Sequence, residues 1–206
     1  MAFEQFSSSF EVTRRDPKDG VIDIHWVDEE FRSTVEQLGG AAYERGLYTV
    51  LSSAEVDPST EAVLRAFPEL TGRIAVFGRD WLGRHCAVDR RRQLEGRPLV
   101  LLIDPGGGEC LQVPVPILEF HDDELVRFRD DALASSFFDA WTSASEESLQ
   151  PGECAGYGVP LFLGGEDVVE NLEIFDLDVY VELCGQLRQG VRALPDGTRI
   201  GEIEMS

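Results

Sequence analysis

Apolar positions fall into two periodicities along this chain. DEEFRSTVEQLGG, from Asp28, sets Phe31, Val35 and Leu38 at helical spacing behind an acidic first turn and ahead of a Gly pair, which predicts a short amphipathic helix. GLYTVLS then alternates like a strand, and DPSTEAVLRAFPEL predicts a second helix that starts at Asp57–Pro58, carries Ala62, Val63 and Ala66 on one face and stops at Pro68. RIAVFG and HCAVD have strand composition, with DWLGR between them as a tight turn. PLVLLID and ECLQVPV flank PGGG and predict a hairpin. HDDELVRFRDDALASSFFDAWTSA predicts one or two helices burying Leu125, Phe128, Leu133, Phe137, Ala140 and Trp141. GYGVPLFLGG and NLEIFDLD are strand or loop, and VYVELCGQLRQGVRAL is a last helix with Val179, Leu183 and Leu187 as its apolar stripe. The first 25 residues are less patterned and suit an arm or an edge hairpin. Strands cluster in the middle of the chain with helices on the N- and C-terminal sides, so the expected class is α+β with a central, mostly antiparallel sheet.

A chain of 206 residues supports one ordinary core. No apolar run approaches the roughly 20 residues that cross a bilayer, and MAFEQFSSSFEVTRRD lacks the apolar segment of a secretory signal, so a cytoplasmic location is expected. Cys86, Cys110, Cys154 and Cys184 form no CxxC pair, and His25, His85 and His121 are equally scattered. Buried, reduced thiols are expected, without metal or cofactor.

Charge narrows the choice of partner. The chain holds 39 acidic residues against 18 basic, a formal −21, and residues 119–206 alone hold 20 acidic and 5 basic, net −15. Direct binding of nucleic acid is disfavoured by repulsion from phosphate, and a basic protein partner is the better inference. Solubility alone also accounts for an acidic surface, so both readings stand at this level.

The polar, aromatic stretch FGRDWLGRHCAVD could be a catalytic loop or a strand corner. His85 and Cys86 are neighbours in a strand pattern, which sends their side chains to opposite faces and prevents them from pairing as base and nucleophile. No GxSxG elbow is present, and PGGG leads into a strand and lacks a following Lys, the only one in the chain being Lys18, so it is not a phosphate loop. Carboxylate pairs such as Asp122–Asp123, Asp130–Asp131 and Glu146–Glu147 suit helix starts and solvated faces. The stretch therefore reads as architecture, with Trp81 packed across the turn and Asp80 bonding its amides. Trp81 and Arg84 are alternatively candidate partner anchors, because Trp and Arg are enriched in interface hot spots.

Several ordered segments carry a resemblance: GGAAYERGLYTV, FPELTGRIAVFGRDWLGRHCAVD, LLIDPGGGEC, EFHDDELV, ALASSFFDAW, ECAGYGVPLFLGGEDVVENLEIFDLDVYVELCGQL and LPDGTRIGEI. From about Gly39 to Ile203 the chain resembles the C-terminal domain of type VI secretion immunity proteins that neutralise DNase effectors. That family is SUKH-like and its domain often follows a GAD-like domain; residues 1–38 are too short for one and are expected to form an arm and helix ahead of a domain over 39–206. The resemblance implies a non-enzymatic inhibitor of a secreted, basic toxin, a nuclease. EDVVENLEIFDLD, with Glu166, Asp167, Glu170, Glu173, Asp176 and Asp178 and no base, is then the candidate contact surface. If Leu172, Ile174 and Phe175 belong to a strand, its carboxylates face away from the core. The alternative is a non-enzymatic adaptor or small-ligand module of the same fold, with its pocket near GYGVPLFLGG.

Overall fold

The computed structural model describes residues 3–17, 20–145 and 148–192. Lys18, the Glu146–Glu147 pair and LPDGTRIGEI lie outside the described residues. The chain opens with α1 (Glu4–Ser9), β1 (Val12–Arg15), α2 (Glu29–Leu38), β2 (Ala41–Tyr43), β3 (Tyr48–Val50) and α3 (Ser53–Ala66). Two long hairpins follow, β4 (Ile74–Asp80) with β5 (His85–Leu94), and β6 (Arg97–Asp104) with β7 (Glu109–Pro116). Helical residues then run through α4 (Ile117–Glu119), a π turn (Phe120–Glu124), α5 (Leu125–Arg127), α6 (Arg129–Leu133) and α7 (Ser135–Ala144). β8 (Glu153–Tyr157), β9 (Leu172–Asp176) and α8 (Leu177–Arg192) complete the order. β1 to β7 form one antiparallel sheet in sequence order, and β8 and β9 pair as a second, two-stranded sheet. This is the α+β, antiparallel architecture that the pattern and the resemblance predict.

The core crosses residue 38 without a break. Phe3, Phe6 and Phe10 are buried, Phe6 stacks on Phe10 and meets Tyr43 and Tyr48 edge-on, and Phe31 of α2 meets Phe77 of β4. Phe3, Phe6, Phe10, Val27, Phe31, Val35 and Leu38 thus share the hydrophobic core of the sheet. His121 closes this aromatic cluster. Its Nδ1 lies 2.8 Å from the Ile117 carbonyl, which can only accept, so Nδ1 carries the proton and Nε2 accepts from the Tyr48 hydroxyl at 3.0 Å. Arg97 reaches from β6 to Glu30 of α2 and Glu119 of α4, binding these helices to the sheet.

The DWLGR turn joins the remaining parts. Asp80 has no exposed side-chain surface; its carboxylate accepts from the backbone N–H groups of Leu82 and Arg84 and from Arg84 Nε. Arg84 continues to the Ala132 carbonyl (3.1 Å). Trp81 donates its indole N–H to the Leu133 carbonyl (3.0 Å) and packs against Phe137, Phe138 and Trp141. Its own carbonyl accepts from Ala155 of β8. These bonds tie the β4–β5 turn to α6 and to the small sheet.

Three expected details differ. α3 begins earlier than Asp57, at Ser53, because Glu55 reaches back to the Ser52 N–H (2.8 Å) and starts the helix; Pro58 lies inside it. Between Ile117 and Ala144 the π turn and the left-handed Ala134 break the helical phase, so Phe128 and Ala140 are exposed and Phe138 replaces Phe137 as the buried ring. In α8 the buried face is Leu177, Tyr180, Val181, Cys184, Gly185 and Arg188, whereas Val179 and Leu183 are exposed and Leu187 is half-buried. The rotation is fixed where α8 crosses α3: a Cβ on Gly185 would stand 2.5 Å from the Ala66 Cα, so only glycine permits this approach. Tyr180 Oη accepts from the Tyr157 N–H, and Arg188 reaches the Gly108 carbonyl and Glu69.

The core generates two expectations for stability. Trp81→Ala removes a buried indole and its bond and is expected to cost roughly 3–5 kcal/mol in urea unfolding, with Trp81→Phe intermediate. Burial holds the pKa of His121 down at about 4 and, with Arg79 nearby, that of His85 down at about 3. Because these folded values lie below the unfolded one, the unfolded chain takes up protons that the folded chain refuses. Stability is full above about pH 6.5 and falls as pH drops towards 4 and then 3, by at most about 1.4 kcal/mol per pH unit per histidine. Unfolding midpoints measured between pH 7 and 4 should show this slope, and His121→Asn should flatten it; an unchanged slope would remove His121 as its source.

Candidate functional site

The six carboxylates of 166–178 lie on and beside the small sheet. A 3₁₀ turn over Leu161–Leu163 ends at Gly164, and a second over Val169–Asn171 leads into β9. Asn171 fixes this loop: its side chain donates to the carbonyls of Val159 and Glu166 and accepts from the Val159 N–H. β9 pairs with β8 from Glu153↔Asp176 to Tyr157↔Leu172, and Leu172, Ile174 and Phe175 are half-buried there, with Phe175 tilted over Tyr180 at 5.3 Å. Glu166, Asp167, Glu170, Glu173, Asp176 and Asp178 are all exposed. None of them forms an ion pair among the described residues; Asp167 accepts from the Tyr157 hydroxyl (2.6 Å), and Asp176 accepts from the Val179 N–H at the start of α8. The segment is thus a held, acidic surface.

Trp81 and Arg84 belong elsewhere. Trp81 is 1% exposed and the Arg84 side chain 11% exposed, and both are engaged within the chain. As surface anchors they are corrected to architecture: the indole fills the space under α7, and the guanidinium is committed to Asp80 and Ala132. Burial opposes charge on Arg84, yet the Asp80 carboxylate holds its pKa above the ordinary value.

PGGG has a packing role. The Gly106 carbonyl accepts from the Leu161 N–H, and a Cβ on Gly106 would stand 2.5 Å from Tyr180 Oη. The hairpin tip thereby docks onto the 158–164 loop, beside a cavity of about 450 Å³ walled by Arg84, Asp104, Glu109, Phe137, Tyr157 and Asp167. Sequence pattern does not reveal this cavity, because its walls come from segments far apart in the chain; the GYGVPLFLGG neighbourhood, with Tyr157 and nearby Asp167, is its one local signal.

His85 and Cys86 are both buried on β5, and burial raises the Cys86 thiol well above its ordinary pKa, away from the thiolate a nucleophile needs. Cys154 and Cys184 are likewise buried, Cys110 is half-buried, and all four thiols are free. Among the described residues no group of three or more His, Cys, Asp or Glu is placed to hold a metal ion, and no helix is long and apolar enough to cross a membrane.

Residues 118–188 match the family described as T6SS immunity protein Tdi1, C-terminal. That span runs from within α4 to Arg188 of α8, and it contains the whole acidic segment. The crystal structure of Atu4351 from Agrobacterium tumefaciens superposes with a TM-score of 0.64 at 16% identity, over 89% of this chain and 88% of that one, which establishes a shared fold. A search of curated proteins gives no match. Over residues 118–188, the chain is therefore similar to the C-terminal domain of the T6SS immunity protein Tdi1.

Proposed function

We propose that this protein binds and neutralises a secreted nuclease toxin in the cytoplasm, without covalent chemistry and without catalysis of its own, and that the carboxylates between Glu166 and Asp178 meet the toxin's basic surface. The observation that supports this most is the coincidence of that exposed, ion-pair-free acidic segment with the family-matched span. A nuclease must present cationic groups to hold DNA phosphates. An acidic face that occupies those groups competes with the substrate and accelerates encounter. The alternative of a small-ligand module draws on the cavity beside Tyr157. Its walls combine Leu82, Phe137 and Leu161 with Arg84, Asp104, Glu109 and Asp167, so the toxin reading is favoured by the family match and not by this lining.

The test uses the product of the adjacent open reading frame, where the toxin of an immunity protein is expected. Stoichiometric immunity protein should suppress its DNA degradation, and the immunity protein alone should leave DNA intact. A fourfold variant replaces Glu166, Glu170 and Glu173 by Gln and Asp167 by Asn. It should preserve the fold, since the amide oxygen introduced by Asp167→Asn can still accept from the Tyr157 hydroxyl. Association should slow by on the order of tenfold at low salt, and its dependence on ionic strength should flatten, because exposed charges act mainly on encounter and are screened beyond about 8 Å at physiological salt. Association at the wild-type rate at both salts would reduce these carboxylates to a solvated face.

A further inference from the structure

The rotation of α8 leaves a feature that neither the fold nor the acidic surface uses. Helix α8 carries two apolar stripes. The inner one docks on α3 and β8 through Tyr180, Val181, Cys184 and Gly185. The outer one, Val179, Leu183 and Leu187, follows the i, i+4, i+8 ridge of the helix; Val179 is 59% exposed and Leu183 38% exposed, while Leu187 is half-buried at the shoulder. A neighbouring ridge carries Asp178, Glu182 and Gln186, all exposed, with Gln186 donating to Glu182. The helix cannot turn the outer stripe inwards, because the Gly185–Ala66 approach admits no side chain and Arg188 is held by Gly108 and Glu69.

An exposed β-branched residue contributes nothing to helix formation, and polar residues at 179 and 183 would serve solubility better in so acidic a chain. The stripe also starts one residue after the acidic segment ends at Asp178, and acidic side chains line its edge. Apolar contact area beside charges of one sign is the anatomy of an interface with a partner of opposite charge.

We infer that the outer ridge of α8, Val179, Leu183 and Leu187, is the apolar centre of the toxin interface, docking an apolar patch set among basic residues on the toxin, with Asp178 and Glu182 as its acidic rim. This rests on the reading of the protein as a toxin inhibitor and adds the part of the surface that holds the complex together. Desolvated apolar contacts at the centre of an interface govern dissociation, whereas rim charges govern association.

The two roles separate in one kinetic experiment with the same toxin candidate, the product of the adjacent open reading frame, using the full chain. Val179→Ala/Leu183→Ala keeps good helix formers at both positions. The expected result is dissociation faster by on the order of tenfold, with association rate, salt dependence, thermal midpoint and monomer mass unchanged. Wild-type dissociation by this variant, while the wild-type protein binds, overturns the inference and leaves the inhibitor reading intact. A lowered thermal midpoint would show that the stripe is covered by the protein's own chain, and a wild-type dimer dispersed by the substitutions would show that a second copy covers it; either overturns the inference. Failure of the wild-type protein to bind the effector overturns the inhibitor reading and this inference together.

Discussion

A carboxylate with no access to water organises this molecule. Asp80 sits at the end of β4, and burial raises its pKa while Arg84 and the backbone amides of the turn oppose that rise. An uncompensated charge there would cost several kcal/mol, so the turn must supply every partner the carboxylate lacks. It does so within a few residues, through the amides of Leu82 and Arg84 and the Arg84 guanidinium. The same geometry then dictates the rest. Arg84, held by Asp80, reaches the Ala132 carbonyl, Trp81 reaches that of Leu133, and the Trp81 carbonyl receives Ala155. The large sheet, the helical segment and the small sheet converge on this corner, which is why a stretch that looks catalytic in composition is structural.

What can be read from sequence depends on the range of the interactions involved. Both long hairpins are legible because their determinants are local: alternating apolar residues and glycines at the turns. α2 is equally local, with Asp28 accepting from the Phe31 N–H and an acidic first turn. The start of α3 is obscured because Asp–Pro looks like a helix beginning, while the true cap, Ser52 with Glu55, lies just upstream. The orientation of α8 is not legible, since Val179–Leu183–Leu187 and Leu177–Tyr180–Val181–Cys184 are comparable stripes. The choice between them is made by Gly185 against Ala66, a contact across the fold, and a glycine inside a helix is the clue that backbone approaches backbone there. The acidic segment is legible from composition; that Asp167 is tied to Tyr157 and Asp176 to α8 is not.

The distribution of cations explains why the acidity is usable. Arg73 is bonded to Asp89, Arg84 to Asp80, Arg97 to Glu30 and Glu119, and Arg188 and Arg192 to Glu69. These cations balance carboxylates that lie inside the fold or bridge its elements. Burial opposes ionisation of Glu69, yet Arg188 and Arg192 hold its pKa down at about 2. These arginines are thus committed to carboxylates elsewhere, and the 166–178 segment forms no ion pair among the described residues. Its field is not cancelled at short range, and under the proposed function it is the surface whose charge a basic partner would encounter.

That surface is also stiff where it matters. Asn171 fixes the loop, β9 is paired along its length with β8, and α8 is held at Tyr180, Gly185 and Arg188. Ordering a loop or a side chain on binding subtracts from affinity, so a preorganised acidic strand beside a fixed helix presents its groups at little entropic cost. The proposed function requires a rigid scaffold for a second reason. An inhibitor of a nuclease has to outlast competition from DNA, which means a slow dissociation rate, and charge alone does not supply one because salt screens it. Under the proposed function, a ridge of apolar side chains fixed next to the carboxylates would meet that requirement: the charges would bring the partner in from a distance, and the contact that excludes water would keep it there.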